Sequence, residues 1–473
     1  MSGIDRTYIE NLVRSVVNEI DQKNSNRISF NYSSNGVYEN VDEAIANSII
    51  AQKKWVKVHT DTKKNIIEAL RKTMHKFAED FSLKALTETG MGRLEDKIAK
   101  HHNAADSTPG MEDLETRSWN GSKGTVIEER APYGVIAGIT PSTHPIPVLL
   151  NSIIITIAGG NSVVFSVHPA AKKVSAYAIE IFHKVIIENG GPENLITMIK
   201  EPTLENVNKL FNHKDIDLIV ATGGPAVVEA AFKAGKKVVA AGPGNPPVLV
   251  DETADLNVAA KSIITGASFD NNILCIAEKE TFVVHQIFDD FIESMVNNGA
   301  VLLNAQQIEM LTQKALMLND KGHYLGTKDY IGKNARILAE ACGVNLGDNV
   351  RLLFGEVSAN HPFVIAEQMM PFMPVVRVNN FEVGVMQSKK AEHGFGHTAV
   401  IHSRNLDNIT QFTKEMNTSI VIVNGPSLAG NGPSAGEGYF SHTIASPTGE
   451  GVCTPRDFTR VRRLAISNSL KIV

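Results

Sequence analysis

The sequence predicts an α/β fold of two lobes, each built on a parallel β-sheet. The chain has 473 residues, well beyond the roughly 100 to 200 residues of one domain, so at least two lobes are expected. From Gly124 onward short apolar segments alternate with helical patterns, and a second such series begins near Thr281. Strands that alternate with helices are typical of parallel sheets with crossover helices.

The chain begins with an amphipathic pattern. In residues 1–20 apolar side chains recur at helical spacing with polar ones on the opposite face, which predicts a helix. Residues 21–36 are rich in Asn and Ser and lack periodicity, so a flexible linker is expected there. The main body then starts near Val37.

The elements of the body follow in order. Helical patterns cover about residues 41–57 and 61–89. The strands predicted in the first series are 134–140, 162–168, 195–199, 216–221, 237–240 and 247–250. Those predicted in the second series are 281–285, 351–357, 374–378, 398–402 and 419–423. Residues 125–132 alternate apolar and polar side chains outside both series, and the tail of the chain could pair with them across subunits.

Composition excludes several classes of protein. A net charge of -5 with interspersed acids and bases gives no basic stripe for nucleic acid. The three cysteines are far apart and lack C-x-x-C spacing, which argues against a disulfide framework or a cysteine zinc site and favours a reducing, cytoplasmic compartment. No apolar run approaches the roughly 20 residues that cross a bilayer, so no membrane association is expected.

Seven motifs occur in a characteristic order: ITPSTHP, GGNSVVFSVHP, ATGGP, GPGNPP, NNILC, EQMMPFMPV and PTGEG. This set resembles the aldehyde dehydrogenase superfamily and, within it, the CoA-acylating acetaldehyde and propionaldehyde dehydrogenases of bacterial microcompartments. The resemblance implies two Rossmann-like lobes with a small β flap for homo-oligomerisation. It further implies oxidation of a short aliphatic aldehyde with NAD and coenzyme A.

The resemblance also divides the chain. It places an NAD-binding domain at 37–246, with an oligomerisation hairpin near 120–133. It places a catalytic domain at 247–425, and residues 426–473 return to the NAD-binding lobe and form an oligomerisation tail.

Cys275, in NNILC, is the expected nucleophile. A cysteine thiolate can attack an aldehyde, and the resulting thiohemiacetal becomes a thioester once hydride has left. Cys342 and Cys453 have no motif around them and are expected to be small buried side chains.

Two side chains are candidates for binding the oxyanion that develops on the aldehyde. Thr143 and His144 occupy the place where hydrolytic relatives have an Asn-aromatic-Pro run. Which of them donates stays open, as does a purely structural role for His144 at a turn before a helix. Ala241 falls on the position of the glutamate that activates water in hydrolytic relatives, and an alanine cannot deprotonate anything.

The cofactor residues are inferred from the same motifs. Thr140 and Pro141 belong to ITPSTHP. Ser166 and His168 belong to SVHP, which replaces the Lys-x-x-Glu run that binds the adenosine ribose in many relatives, so weaker or different ribose contacts are expected. Gly223 and Gly224 precede a helix whose free amides favour a phosphate, although a plain helix start would look the same. Glu367 matches the glutamate that binds the nicotinamide ribose. The choice between NAD and NADP is open.

His393 and His397 are spaced like a metal pair, but the glycines between them spoil a helix, so no metal site is expected. A contact with CoA or the aldehyde is the alternative.

Several functional alternatives remain. One rival is a hydrolytic aldehyde dehydrogenase, another a catalytically idle assembly subunit, and a third a reductase of acyl phosphates. Residues 1–20 could pack on the body, act as an organelle signal or dock onto a shell protein. The resemblance favours docking and therefore a place inside a microcompartment.

Overall fold

We describe residues 35–433 and 435–470 of a computed structural model of the chain. The helix predicted for residues 1–20 and all but the end of the predicted linker lie outside this part of the chain. Within it, none of the helices combines the length and the apolar character that crossing a membrane requires.

The helices and strands of the described residues alternate along most of the chain. The helices are α1 (Val41–Trp55), α2 (Thr60–Thr89), α3 (Leu94–Ser107), α4 (Pro145–Ala158), α5 (Lys172–Glu188), α6 (Leu204–Asn212), α7 (Pro225–Lys233), α8 (Leu256–Ser268), α9 (Phe288–Asn297), α10 (Ala305–Ala315), α11 (Ala335–Ala341), α12 (Pro362–Ile365), α13 (Phe381–Ala391) and α14 (Leu406–Met416). The strands are β1 (Val37–Tyr38), β2 (Arg117–Gly121), β3 (Gly124–Pro132), β4 (Val135–Thr140), β5 (Ser162–Val167), β6 (Ile196–Ile199), β7 (Leu218–Thr222), β8 (Lys237–Ala241), β9 (Pro247–Val250), β10 (Glu280–Val284), β11 (Val301–Leu302), β12 (Leu316–Leu318), β13 (Tyr324–Gly326), β14 (Leu353–Glu356), β15 (Phe372–Val378), β16 (Thr398–His402), β17 (Ile420–Val423), β18 (Ile444–Ala445), β19 (Gly451–Val452) and β20 (Thr459–Ser467).

The first lobe is built on a six-stranded sheet in the order β1-β6-β5-β4-β7-β8, in which all pairs are parallel. Strands β4 and β5 are buried along their whole length, as expected where helices cover both faces of a sheet. Helix α4, also buried at every residue, packs in the main core of this lobe.

The second lobe is built on a seven-stranded parallel sheet in the order β11-β14-β15-β10-β9-β16-β17. The prediction of two parallel sheets is therefore confirmed. The strand pattern grouped residues 247–250 with the first series, although the domain division inferred from the resemblance began the catalytic domain at 247. Strand β9 pairs with β10 and β16 in the second sheet. The segment GPGNP between β8 and β9 thus carries the chain from one sheet to the other, which an alternating pattern alone does not reveal.

A small antiparallel sheet, in the order β2-β3-β20, lies outside both parallel sheets. The tail does pair with the alternating segment, Thr459 opposite Pro132 and Ser467 opposite Gly124. The idea that this pairing joins two subunits was wrong, because both strands belong to one chain. A nearby hydrogen bond favours pairing within the chain. Asn161 donates to the Phe458 carbonyl at 2.9 Å, and this bond holds the residue before β20 close to the end of β3.

Candidate active site

A cleft of about 460 Å³ opens where strands β4, β5, β7 and β8 reach their carboxyl ends. The chain passes from β4 to β5 on one side of β4 and later places β7 on the other side. Such a reversal of strand order is where open α/β sheets bind ligands. All ten residues placed in the site by the sequence line this cleft: Thr140, Pro141, Thr143, His144, Ser166, His168, Gly223, Gly224, Cys275 and Glu367.

Cys275 reaches the cleft from a strained loop of the second lobe. Three successive residues before it, Asp270, Asn271 and Asn272, have positive φ angles of 46°, 55° and 67°. This left-handed conformation is uncommon outside glycine and needs support from its surroundings. The support includes hydrogen bonds of 2.8 Å from the Asn272 amide to the carbonyls of Ala267 and Glu278. The strained turn therefore places the largely buried Cys275 on the wall of the cleft.

Lys279 stabilises the same loop through hydrogen bonds to its backbone. This residue was not identified from the sequence. Its fully buried ammonium donates to the carbonyls of Asn272 at 2.9 Å and Leu274 at 3.0 Å. Burial lowers the pKa of Lys279 to about 8. One signal was present: three consecutive charged residues, Glu278 to Glu280, stand between the apolar residues that follow the cysteine and the apolar part of β10. Charges inside a protein require partners.

The thiol of Cys275 is held mainly in its protonated form. Burial and the nearby Glu367 carboxylate raise its pKa to about 12, although the Lys279 ammonium and two backbone N–H groups act in the opposite direction. The site therefore has a cation in the Cys275 loop that favours the reactive thiolate and an acid from a different segment, Glu367, that opposes it.

Gly244 brings two parts of the site into contact. Its N–H donates to Glu367 Oε1 at 3.4 Å. A β-carbon here would lie 2.5 Å from the Cys275 carbonyl oxygen and 3.1 Å from Cγ of His397, so only glycine fits without a shift of the backbone. Ala241, at the end of β8, also lines the cleft. The position predicted for a water-activating glutamate thus carries a methyl group.

His144 caps the start of α4, and Pro145 is the first residue of that helix. The imidazole is nearly buried, and its Nδ1 lies 3.4 Å from the Lys100 ammonium. Burial, followed by the positive charge of Lys100, lowers the pKa of His144 well below its usual value, so the ring is neutral. His144 therefore lies at the start of α4 and also lines the cleft. A structural role at the helix start does not exclude a role in binding the oxyanion.

The cofactor side of the cleft suits a dinucleotide. Three hydroxyl oxygens on its wall, those of Thr140, Ser166 and Thr222, are buried without a protein partner in the described residues. Gly224 caps α7 without a side-chain hydrogen bond, and Pro225 has no N–H, so the Ala226 N–H is the first amide of that helix and can face a ligand. His168 is less available, since its Nδ1 already accepts from the Ala170 N–H at 3.1 Å. The walls fit a polar, phosphate-bearing ligand with an apolar ring.

The two histidines considered for a metal or a substrate contact lie outside the cleft wall. His393 meets the Ile365 carbonyl at 2.7 Å through Nε2, and His397 is buried beneath Gly244. In the described part of the chain no group of three His, Cys, Asp or Glu side chains is arranged to hold a metal ion.

A sequence model of the aldehyde dehydrogenase family matches residues 18–439. The chain belongs to the aldehyde dehydrogenase family. Among its relatives, the acetylating acetaldehyde dehydrogenase EutE of Salmonella typhimurium is 44% identical over 98% of this chain and 99% of its own length.

Two solved structures of aldehyde dehydrogenases share the fold. The propionaldehyde dehydrogenase of Rhodopseudomonas palustris, with bound CoA and an acylated cysteine, superposes with a TM-score of 0.89 at 38% identity and covers 93% of this chain and 100% of that one. The propionaldehyde dehydrogenase of the Clostridium phytofermentans fucose utilisation microcompartment gives 0.89 at 41% identity with the same coverage. The resemblance inferred from the motifs is thereby confirmed.

Proposed function

We propose that this aldehyde dehydrogenase converts a short aliphatic aldehyde, acetaldehyde or propionaldehyde, to its acyl-CoA with NAD and coenzyme A. The observation that carries the proposal is the pairing of Cys275 with Ala241 on one cleft. The nucleophile is present, and the base that would direct water to its acyl form is replaced by a methyl group. The similar proteins are named for acetylating and propanoylating activities.

The chain's own groups account for the acyl transfer. The Cys275 thiolate adds to the aldehyde carbonyl, and Thr143 or His144 donates to the oxyanion so formed. NAD, when bound on the wall of Thr140, Ser166, Gly223 and Gly224, supplies the hydride acceptor. The acyl group then remains on Cys275 until the thiol of CoA takes it, and the same steps run in reverse from acyl-CoA.

One acid does line the cleft. Glu367 is the only carboxylate on the wall, which lies wholly in the described residues, and burial raises its pKa. We assign it to the cofactor rather than to water, because its Oε1 is engaged by the Gly244 N–H. A Glu367→Gln variant separates the two roles: loss of cofactor affinity supports this assignment, whereas loss of a free-acid product would show that Glu367 activates water.

The decisive assay supplies propionaldehyde and NAD with and without CoA. We expect NADH formation beyond one turnover to require CoA, propionyl-CoA as the product, and an acylated Cys275 peptide in mass spectra when CoA is withheld. Cys275→Ser should be inactive, whereas Cys342→Ser, which keeps a donor to the Ala339 carbonyl, should match the wild type. A CoA-independent rate with propionate as product would contradict the proposal. Unchanged activity in Cys275→Ser would show that Cys275 is not the nucleophile and would favour the catalytically idle subunit. Reduction of acyl phosphate but not of acyl-CoA would support the third rival.

We also propose that residues 1–20 dock onto a microcompartment shell protein, which places the enzyme inside that compartment. The support is the amphipathic pattern of this segment, the polar residues after it and the microcompartment origin of a structural relative. Deleting residues 1–20 should preserve activity and abolish co-purification with shell proteins. Loss of folding or of oligomerisation would contradict docking.

Homo-oligomerisation is proposed through the small antiparallel sheet. Trp119 and Val461 are half exposed on one face of this sheet, and Leu464 is half exposed on the other face. Exposed large apolar side chains of this kind can mark a protein–protein contact. Val461→Asp with Leu464→Asp should lower the mass measured by light scattering. A wild-type monomer, or an unchanged mass for the variant, would contradict this interface.

A further inference from the structure

Lys100 is a buried cation that joins the two loops on either side of the reacting atoms. It lies on α3 and is 4% exposed. Its ammonium pairs with Asp270 Oδ2, at the start of the strained turn that leads to Cys275. The same nitrogen lies 3.5 Å from the Thr143 carbonyl and 3.4 Å from His144 Nδ1.

The three partners of Lys100 account for all of its hydrogen atoms. A lysine ammonium has three N–H donors and no acceptor. A carboxylate, a carbonyl and an imidazole nitrogen therefore receive one hydrogen each. A neutral imidazole has one donor and one acceptor nitrogen, and the nitrogen that accepts from Lys100 cannot carry the ring proton.

We propose that Lys100 is a positioning residue that fixes His144 in the Nε2–H tautomer, so that His144 donates to the oxyanion formed at Cys275. This inference rests on the proposed function and deepens it, because it selects His144 as the donor. An amide side chain, such as the Asn of the Asn-aromatic-Pro run in hydrolytic relatives, always presents an N–H. A histidine presents one only in the correct tautomer, which explains why a second residue is needed behind the ring.

The opposite tautomer is disfavoured by the same contacts. The Thr143 carbonyl also lies beside the ring and could accept from an Nδ1–H. That hydrogen would then point into the region of the Lys100 ammonium, and two donors would face each other. An Nδ1–H bonded to the Thr143 carbonyl would also compete with Lys100, whose ammonium lies 3.5 Å from that carbonyl and 3.4 Å from Nδ1.

Lys97 provides a matched control. It lies one helical turn before Lys100, is equally buried, and contacts the same Asp270 oxygen at 3.3 Å. It makes no hydrogen bond to His144 in the described part of the chain. Removing either lysine leaves Asp270 with one cation, so a purely structural effect should be similar for Lys97→Met and Lys100→Met.

The kinetic test is a double-mutant cycle that uses His144→Asn, which supplies an amide donor with no tautomer to fix. With His144 present, Lys100→Met should lower kcat by about 10- to 100-fold, which is less than the roughly 100- to 1,000-fold lost with a whole oxyanion donor because part of the ring population keeps the correct tautomer. In the His144→Asn background the same change should cost less than about threefold, whereas Lys97→Met should act equally in both backgrounds. An equal loss from Lys100→Met in both backgrounds would overturn the proposal.

A spectroscopic test is independent of activity. Histidine labelled with ¹³C and ¹⁵N reports its tautomer by NMR, and the signal of His144 is identified by its absence in His144→Asn. We expect the Nε2–H form in the wild type and a mixture in Lys100→Met. An Nδ1–H form in the wild type would refute the role of Lys100 even in a fully active CoA-acylating enzyme. A correct tautomer in a protein without CoA-dependent activity would instead refute the proposed function.

Discussion

The Cys275 carbonyl oxygen lies 2.5 Å from the point where a β-carbon on Gly244 would stand. The nucleophile loop and the loop that follows β8 are therefore in direct backbone contact. Real β-carbons do not approach an oxygen so closely, and well-packed interiors do not yield without cost.

Gly244→Ala should displace the nucleophile. The added methyl must push the backbone of Cys275, and a misplacement of about 1 Å can cost about 100-fold in rate. We expect kcat to fall by that order and the free energy of unfolding to fall by about 1 to 3 kcal/mol, measured by steady-state kinetics and urea unfolding. Gly121→Ala is the control, because nothing lies within 4 Å of a β-carbon there. A fully active Gly244→Ala enzyme would show that the contact does not set the position of the thiol.

Ala241→Glu should restore hydrolysis. A carboxylate at this wall position can deprotonate water beside the acylated cysteine, and general-base catalysis contributes about 100- to 10,000-fold. We expect the ratio of free acid to acyl-CoA to rise at least about tenfold, as measured by chromatography of products formed with limiting CoA. Ala241→Gln has the same shape without the base and should keep acyl-CoA as the main product. Equal acid release from both variants would point to loosened packing instead.

The charges around Cys275 predict opposite shifts in its reactivity. The Glu367 carboxylate raises the pKa of the thiol and the Lys279 ammonium lowers it. Glu367→Gln should therefore move the pH profile of iodoacetamide alkylation to lower pH, and Lys279→Met should move it to higher pH. Mass spectrometry must assign the alkylation to Cys275. Shifts of the same sign would mean that altered burial, rather than charge, dominates.

Glu278 predicts a pH dependence of stability. Burial raises the pKa of this carboxyl to about 7, despite its hydrogen bonds from Ser427. In the unfolded chain it ionises near its ordinary value of 4.5. The folded state therefore binds more protons between about pH 4.5 and 7, and the contribution of Glu278 to stability falls as the pH rises through this window.

Glu278→Gln should remove that component of the pH dependence. The amide keeps the shape and can still bond Ser427. We expect the free energy of unfolding of the variant, relative to the wild type, to increase from pH 5 to pH 7 by an amount on the order of 1 to 3 kcal/mol. Urea unfolding at both pH values measures it. A difference that shrinks toward pH 7 would contradict the assigned direction.

Much of the first lobe could be predicted from the sequence, and the ten site residues predicted from it all line the cleft. Buried parallel strands leave local signatures, as in residues 162–167, and loops after such strands meet at one edge of the sheet. Cys275 and Ala241 were identifiable because each lies in a short motif. Lys279 was not, since a lysine before a strand is usually solvated and only its surroundings show that it is buried.

By itself the sequence predicted the alternation of strands and helices, and it supplied the candidate nucleophile and the candidate position of the missing base, because these depend on residues close together in the chain. Only the tertiary structure decided that the tail pairs within its own chain and that Lys100 meets Asp270 across a separation of 170 residues. The physical reason is that local periodicity fixes which face of an element is buried. Contacts between distant segments depend on how the whole chain packs, so they cannot be predicted from the residues adjacent in sequence.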